Sequence, residues 1–215
     1  MNDGRRQRLQ YNPQDVKRMI HLIRDPYDNV VARFYSYIGL MNINRPDLNI
    51  EDTFPLSEKG FRDWCKFQDR GFEQVELKWL PENLRAIAKD VPCRQEFVKW
   101  ARFHTNTFLM ARAREIDYMV LRYEDYVRDQ SGTIERVNNY LNYPVENLDI
   151  PQTITGDGIW NFRNFYTDDE RLAIEKLIRN LSIPPVWFHL QYYTPQLYTD
   201  QVVDDPDFHR INDLN

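Results

Sequence analysis

The segment from Lys17 to Arg24 (KRMIHLIR) is a short, nearly continuous apolar run cut off by Asp25-Pro26, and it limits the possible folds more than any other stretch. A run of this length suits a strand buried on both faces, the signature of a parallel sheet. The period then changes. From Pro26 to about Leu40, Val30, Phe34 and Ile38 recur every four residues, with Asp25 as N-cap, Pro26 at the first helical position and Asp28 near a capping-box position. The expectation is a strand, a tight turn and a helix.

The same alternation recurs further on. Arg94 to Arg114 reads as a long amphipathic helix with Phe97, Ala101, His104 and Phe108 on one face. Asp117 to Tyr123 (DYMVLRY) reads as a second strand, and Ser131 to Asn142 as a helix presenting Ile134, Val137 and Leu141. Thr167 to Leu181 opens on a Thr-Asp-Asp-Glu capping signal and carries Leu172, Ile174, Leu177, Ile178 and Leu181. Residues 41–92 are broken by Pro46, Pro55, Pro81 and Pro92; with Trp64, Phe67, Phe72 and Trp79 they read as short helices laid over a surface, an insertion or lid. The pattern predicts an α/β fold, a parallel sheet flanked by helices, in one domain over residues 1–215 with a frayed tail at 200–215.

Charge narrows the possible partners. A formal net charge of −5 with both signs interleaved argues against a broad nucleic-acid face, so any anion site must be local. No stretch approaches eighteen apolar residues, and the opening MNDGRRQRLQ has no apolar segment behind its basic residues; as written, the chain carries neither membrane span nor secretory signal. Cys65 and Cys93 are either one disulfide, which requires an oxidising compartment, or two free thiols. Neither lies in a CxxC pair and the four histidines are scattered, so no metal site is expected.

The chemistry concentrates in His21 to Phe34 (HLIRDPYDNVVARF), where an arginine ends a strand and the next residues open a helix. Ligands of open α/β sheets sit at the carboxyl ends of strands, and a helix N-terminus there favours an anion. Arg24 adds a permanently charged planar fork. Its other reading is an ion pair with Asp25 or Asp28 at the sheet edge. His21, inside the strand, and His104, on a helix face, read as core histidines.

An RDP turn followed by a small-apolar helix resembles the 3′-phosphate element of sulfotransferases that use 3′-phosphoadenosine 5′-phosphosulfate (PAPS). The resemblance implies that Arg24 holds the 3′-phosphate. The family's serine eight residues later is Ala32 here, a loss worth about 0.5–1.5 kcal/mol. The adjacent Arg33 has the reach to compensate; Ser36, a turn further on, does not. A second stretch, Leu121 to Pro144 (LRYEDYVRDQSGTIERVNNYLNYP), is similar to the family's YED segment. The resemblance implies that Tyr123 lies against the adenine, while Glu124 and Asp125 read as cap and loop-organising residues. Ile154 to Glu170 (ITGDGIWNFRNFYTDDE) resembles the C-terminal loop that covers the nucleotide, with Gly156 and Gly158 allowing close backbone approach and Arg163 as the basic residue.

No segment between Met1 and Asp15, or later, matches the family's glycine-, serine- and threonine-containing 5′-phosphosulfate loop, and no residue matches its catalytic base. The expected sheet is therefore P-loop-like and incomplete on its N-terminal side. The resemblance implies sulfuryl transfer from PAPS, without a metal, to an acceptor hydroxyl on a carbohydrate. The alternative is an inactive sulfotransferase-like remnant that binds a nucleotide or a partner. The sequence from Val91 to Tyr126 is closest in character to carbohydrate-type Golgi relatives, which would suit a Cys65 to Cys93 disulfide. The expected location is the Golgi lumen if the full-length relative carries an N-terminal anchor, and otherwise the cytoplasm.

Overall fold

The computed structural model describes residues 13–74, 80–143 and 162–193. Strand β1 (Arg18–Ile23) leads through Arg24 and Asp25 into helix α1 (Pro26–Asn44). Asp25 is the N-cap, its side chain accepting from the Tyr27 and Asp28 N–H groups, and Pro26 begins the helix where no N–H is needed. Short α2 (Ile50–Thr53) precedes α3 (Glu58–Gln74) and α4 (Glu82–Ala88). The long α5 (Arg94–Ala113) then runs back to β2 (Asp117–Arg122). Next come α6 (Tyr123–Arg128), α7 (Gln130–Leu141), a 3₁₀ turn at Phe162–Phe165, α8 (Asp168–Leu181), α9 (Pro184–Leu190) and a 3₁₀ turn at Gln191–Tyr193, in addition to the one at Pro13–Asp15 before β1. None of the described helices is long and apolar enough to cross a membrane.

Among the described residues the sheet has two strands, β1 and β2, paired in parallel from Arg18 with Asp117 to Ile23 with Arg122. This is the parallel α/β arrangement the sequence predicts, with only part of a sheet. One feature of β1 differs from expectation. His21 and Ile23 are buried, but Leu22 is 51% exposed, so the strand is covered on one face and not on both. The cause is the small sheet: α5 covers the face that carries His21, and no described element closes over Leu22.

The core is built on the inner sides of α1, α3, α5 and α8. Tyr27, Val30, Val31 and Phe34 meet Phe61 and Trp64 of α3, Phe97, Val98 and Ala101 of α5, and Ile174, Leu177 and Ile178 of α8. Residues 58–74 form one long helix where short ones are expected, and Phe61 and Trp64 place it in this common core. Cys65 of α3 is bonded to Cys93, the residue before α5, and both are buried. The disulfide reading of the two cysteines therefore holds, and it pins the start of α5 to the middle of α3.

On the covered face of the sheet, His21 Nε2 and His104 Nδ1 share a hydrogen bond of 2.7 Å, one nitrogen protonated and the other not. Both are core histidines. Burial lowers His21 to about 4 and, with His21 adding to the effect, His104 to about 3, so the pair is neutral at ordinary pH. Phe108 stands edge-on to His21 and stacks on His189 of α9, whose imidazole burial lowers to about 4.

Candidate functional site

Because Ile23 and Arg122 are register partners, β1 and β2 end side by side. The next residue along each strand is Arg24 or Tyr123, and the two meet: the Arg24 guanidinium carbon lies 4.6 Å from the centre of the Tyr123 ring. Tyr123 is the first residue of α6, so the strand ends at Arg122, one position earlier than expected. Arg24 makes no hydrogen bond or ion pair among the described residues, and its Nε is buried without an acceptor. A buried donor left unpaired is costly, so a guanidinium in this state is set up to receive one.

Asp25 and Asp28, the two carboxylates beside Arg24 in sequence, are held elsewhere. Besides capping α1, Asp25 accepts a hydrogen bond of 3.0 Å from Arg163. Asp28 accepts one of 2.9 Å from the Phe162 N–H. Arg163 also donates to the Tyr193 carbonyl at 2.5 Å and lies over the Tyr27 ring, 5.1 Å from its centre. Glu124 closes the circuit, with one carboxylate oxygen accepting from the Asp25 N–H at 2.9 Å and the other from the Tyr193 hydroxyl at 2.5 Å. The turn after β1, the start of α6 and the 3₁₀ turns at Phe162–Phe165 and Gln191–Tyr193 are thus joined in one buried polar network.

Burial sets the protonation of this network. It pushes the Asp25 carboxyl up against the pull of Arg163, and it pushes Asp28 up to about 6, with the Phe162 N–H and the Arg24 charge pulling the other way. Burial works against the charge on Arg163 more than any other single effect, but the attraction and hydrogen bond of Asp25, with Tyr27 and Glu175 adding, together outweigh it and hold the guanidinium above its ordinary range.

The remaining sequence-predicted residues are spread over the fold. Ala32 is half-buried in the second turn of α1. Arg33 is paired with the buried Glu96 of α5, so its charge is already in use. Ser36 is exposed. Gly156 and Gly158 lie outside the described residues. Arg163 does reach the strand ends, but as the partner of Asp25. The structure adds three groups that the sequence reading did not single out for this role: the Phe162 N–H, the Tyr193 hydroxyl and the Tyr193 carbonyl. Only Glu124 carried a signal, its place beside Tyr123 in the YED triplet.

Close by, Arg122 lies over the Tyr192 ring at 4.6 Å, and Arg128 donates to the Tyr192 hydroxyl at 2.8 Å. A cavity of about 490 Å³ lies elsewhere, between α3 and the turn before α5, lined by Lys66, Asp69, Arg70 and Arg94 among others; none of the sequence-predicted site residues borders it. No cluster of three or more His, Cys, Asp or Glu side chains among the described residues is placed to hold a metal ion.

Residues 13–159 match the family model described as Sulfotransferase domain. No curated protein and no solved structure matches the chain. The matched span starts before β1 and takes in both strand ends, with Arg24, Ala32, Arg33, Tyr123, Gly156 and Gly158 inside it and Arg163 just beyond. With more than half of its length matched and a parallel strand-turn-helix unit at the heart of the match, the chain belongs to the sulfotransferase domain family.

Proposed function

We propose that the chain binds PAPS and serves transfer of its sulfuryl group to an acceptor hydroxyl, the acceptor being a carbohydrate. Arg24 receives the 3′-phosphate and Tyr123 carries the adenine on the ring face that Arg24 does not cover. The observation that carries this reading is the Arg24 guanidinium, which makes no ion pair or hydrogen bond among the described residues at the ends of two parallel strands and has an aromatic ring against it. A planar cation with open donors suits a phosphate, and a ring beside it suits a purine. In the transfer the acceptor oxygen attacks sulfur while the bond from sulfur to the 5′-phosphate oxygen breaks, and the acceptor loses its proton. The residues described here bind and orient the donor. The buried Cys65–Cys93 disulfide supports an oxidising compartment, in keeping with a Golgi-lumenal location.

A second reading, a nucleotide- or partner-binding module without transfer, is favoured by the sheet, which has only two strands among the described residues. Measuring release of labelled sulfate ester from PAPS alongside binding separates the two, since binding without transfer would select the second.

The site itself is tested by titrating variants with adenosine 3′,5′-bisphosphate and adenosine 5′-monophosphate. A charge-assisted contact to phosphate is worth about 1.5–3 kcal/mol, so Arg24→Ala should weaken the bisphosphate by roughly ten- to a hundredfold and the monophosphate little. Tyr123→Ala should weaken both alike, and Ala32→Ser should leave affinity unchanged or raise it. Equal losses for the two nucleotides with Arg24→Ala would remove the 3′-phosphate from this residue.

A further inference from the structure

Arg24 is followed by Asp25 and, three residues later, by Asp28, and both carboxylates are buried. In that setting the expected fate of a guanidinium is an ion pair with one of them, because a buried carboxylate must find a partner and an adjacent arginine is the nearest. The structure shows otherwise. Besides the capping bonds that Asp25 makes within its own turn, both carboxylates take a partner from a single dipeptide far along the chain: Asp28 from the Phe162 N–H and Asp25 from the Arg163 guanidinium. Arg163 is in turn anchored by the Tyr193 carbonyl and the Tyr27 ring, so it cannot turn toward a bound anion without releasing Asp25.

We propose that Arg163 is a positioning residue. By holding Asp25, while the neighbouring Phe162 N–H holds Asp28, it keeps Arg24 out of an internal ion pair and presents its guanidinium to a phosphate. This rests on the reading of Arg24 as the 3′-phosphate ligand, and it gives Arg163 a different task from the phosphate contact that the family resemblance implies. Arg163 acts on the anion through Asp25 and Arg24.

The distinguishing experiment pairs two substitutions and reads the protein without ligand as well as with it. In the free protein, modification of Arg24 by phenylglyoxal, followed by mass spectrometry, reports whether the guanidinium is engaged. Arg163→Met should protect Arg24, because the released Asp25 carboxylate captures it. Arg163→Met with Asp25→Asn should restore reactivity, since asparagine still caps α1 but carries no charge. Arg163→Lys, which keeps a cation for Asp25, should stay close to wild type and controls for loss of packing. With adenosine 3′,5′-bisphosphate, Arg163→Met should bind about five- to tenfold more weakly, the cost of breaking the captured pair, and the double variant should recover most of that. An affinity loss that Asp25→Asn fails to repair would mean that Arg163 touches the phosphate itself, and unchanged Arg24 reactivity in Arg163→Met would mean that Asp25 does not compete. Either result overturns the proposal. Failure of Arg24→Ala to discriminate the two nucleotides would instead overturn the nucleotide site, and the modification series would still decide the role of Arg163.

Discussion

Glu124 uses its two oxygens to tie together segments 99 and 69 residues away, the Asp25 N–H and the Tyr193 hydroxyl. It is 7% exposed, so truncation leaves a buried donor with no water to turn to. Glu124→Ala should therefore cost about 1.5–3 kcal/mol, and Tyr193→Phe, which removes one bond and leaves the carboxylate its other, about 1 kcal/mol. Urea denaturation of the two variants gives the order; a larger loss for Tyr193→Phe would mean that Glu124 is not the centre of the network. Arg24 and Tyr123 were legible in the sequence, because each follows an apolar run and each sits in a recognisable triplet. The partner of Asp25 was not legible. Arg163 stands 138 residues away, and nothing local in the sequence of either residue marks the other.

Among the elements, local signals gave the starts of α1 and α8: the Asp25-Pro26 step in one case and Thr167 three residues before Glu170 in the other, where both capping-box bonds form. Helix α9 was missed for a physical reason. It opens on Pro184-Pro185, and prolines fit the first turn of a helix, where N–H groups lack partners anyway, but they also punctuate loops and so give no helix signal by themselves. The covering of β1 also depended on something local sequence does not carry, the number of strands beside it. The hydrogen bond from β1 to α5 predicts a pH response. His21 and His104 have pKa values of about 4 and about 3 in the folded protein, below the ordinary 6.5, so as pH falls below 6.5 the unfolded chain takes up protons first. The contribution of the pair is fully present above that point and is lost as pH falls toward 3 to 4. Buried Asp28 and Asp69, both pushed up to about 6, act in the opposite sense, so the informative quantity is a difference. Between pH 7.5 and 4.5 the wild type should lose more stability than His21→Leu/His104→Leu, because the carboxyl contributions cancel in the comparison. Equal losses in the two proteins would rule out the pair as the acid-sensitive element.

At the scale of the molecule, the sheet as the described residues form it leaves apolar surface on the face that carries Leu22, while the opposite face is closed by α5. Parallel strands normally lie covered on both sides. Leu22→Thr, which puts a strand-favouring β-branched residue in place of leucine, should reduce binding of a hydrophobic dye and lower any concentration-dependent association seen by light scattering. It should change stability by no more than about 0.5 kcal/mol. A marked loss of stability would show that Leu22 is packed in solution. The buried network at the strand ends has a consequence of another kind, one of timing. Asp25 and Arg24 are made early, but the groups that hold Asp25 and Asp28 come from positions 124, 162 and 163, and Arg163 is itself fastened by position 193. A chain emerging from the ribosome therefore carries its arginine beside two carboxylates that lack these distant partners through most of its synthesis, and the proposed anion site is complete only once the 3₁₀ turn at Gln191–Tyr193 is delivered.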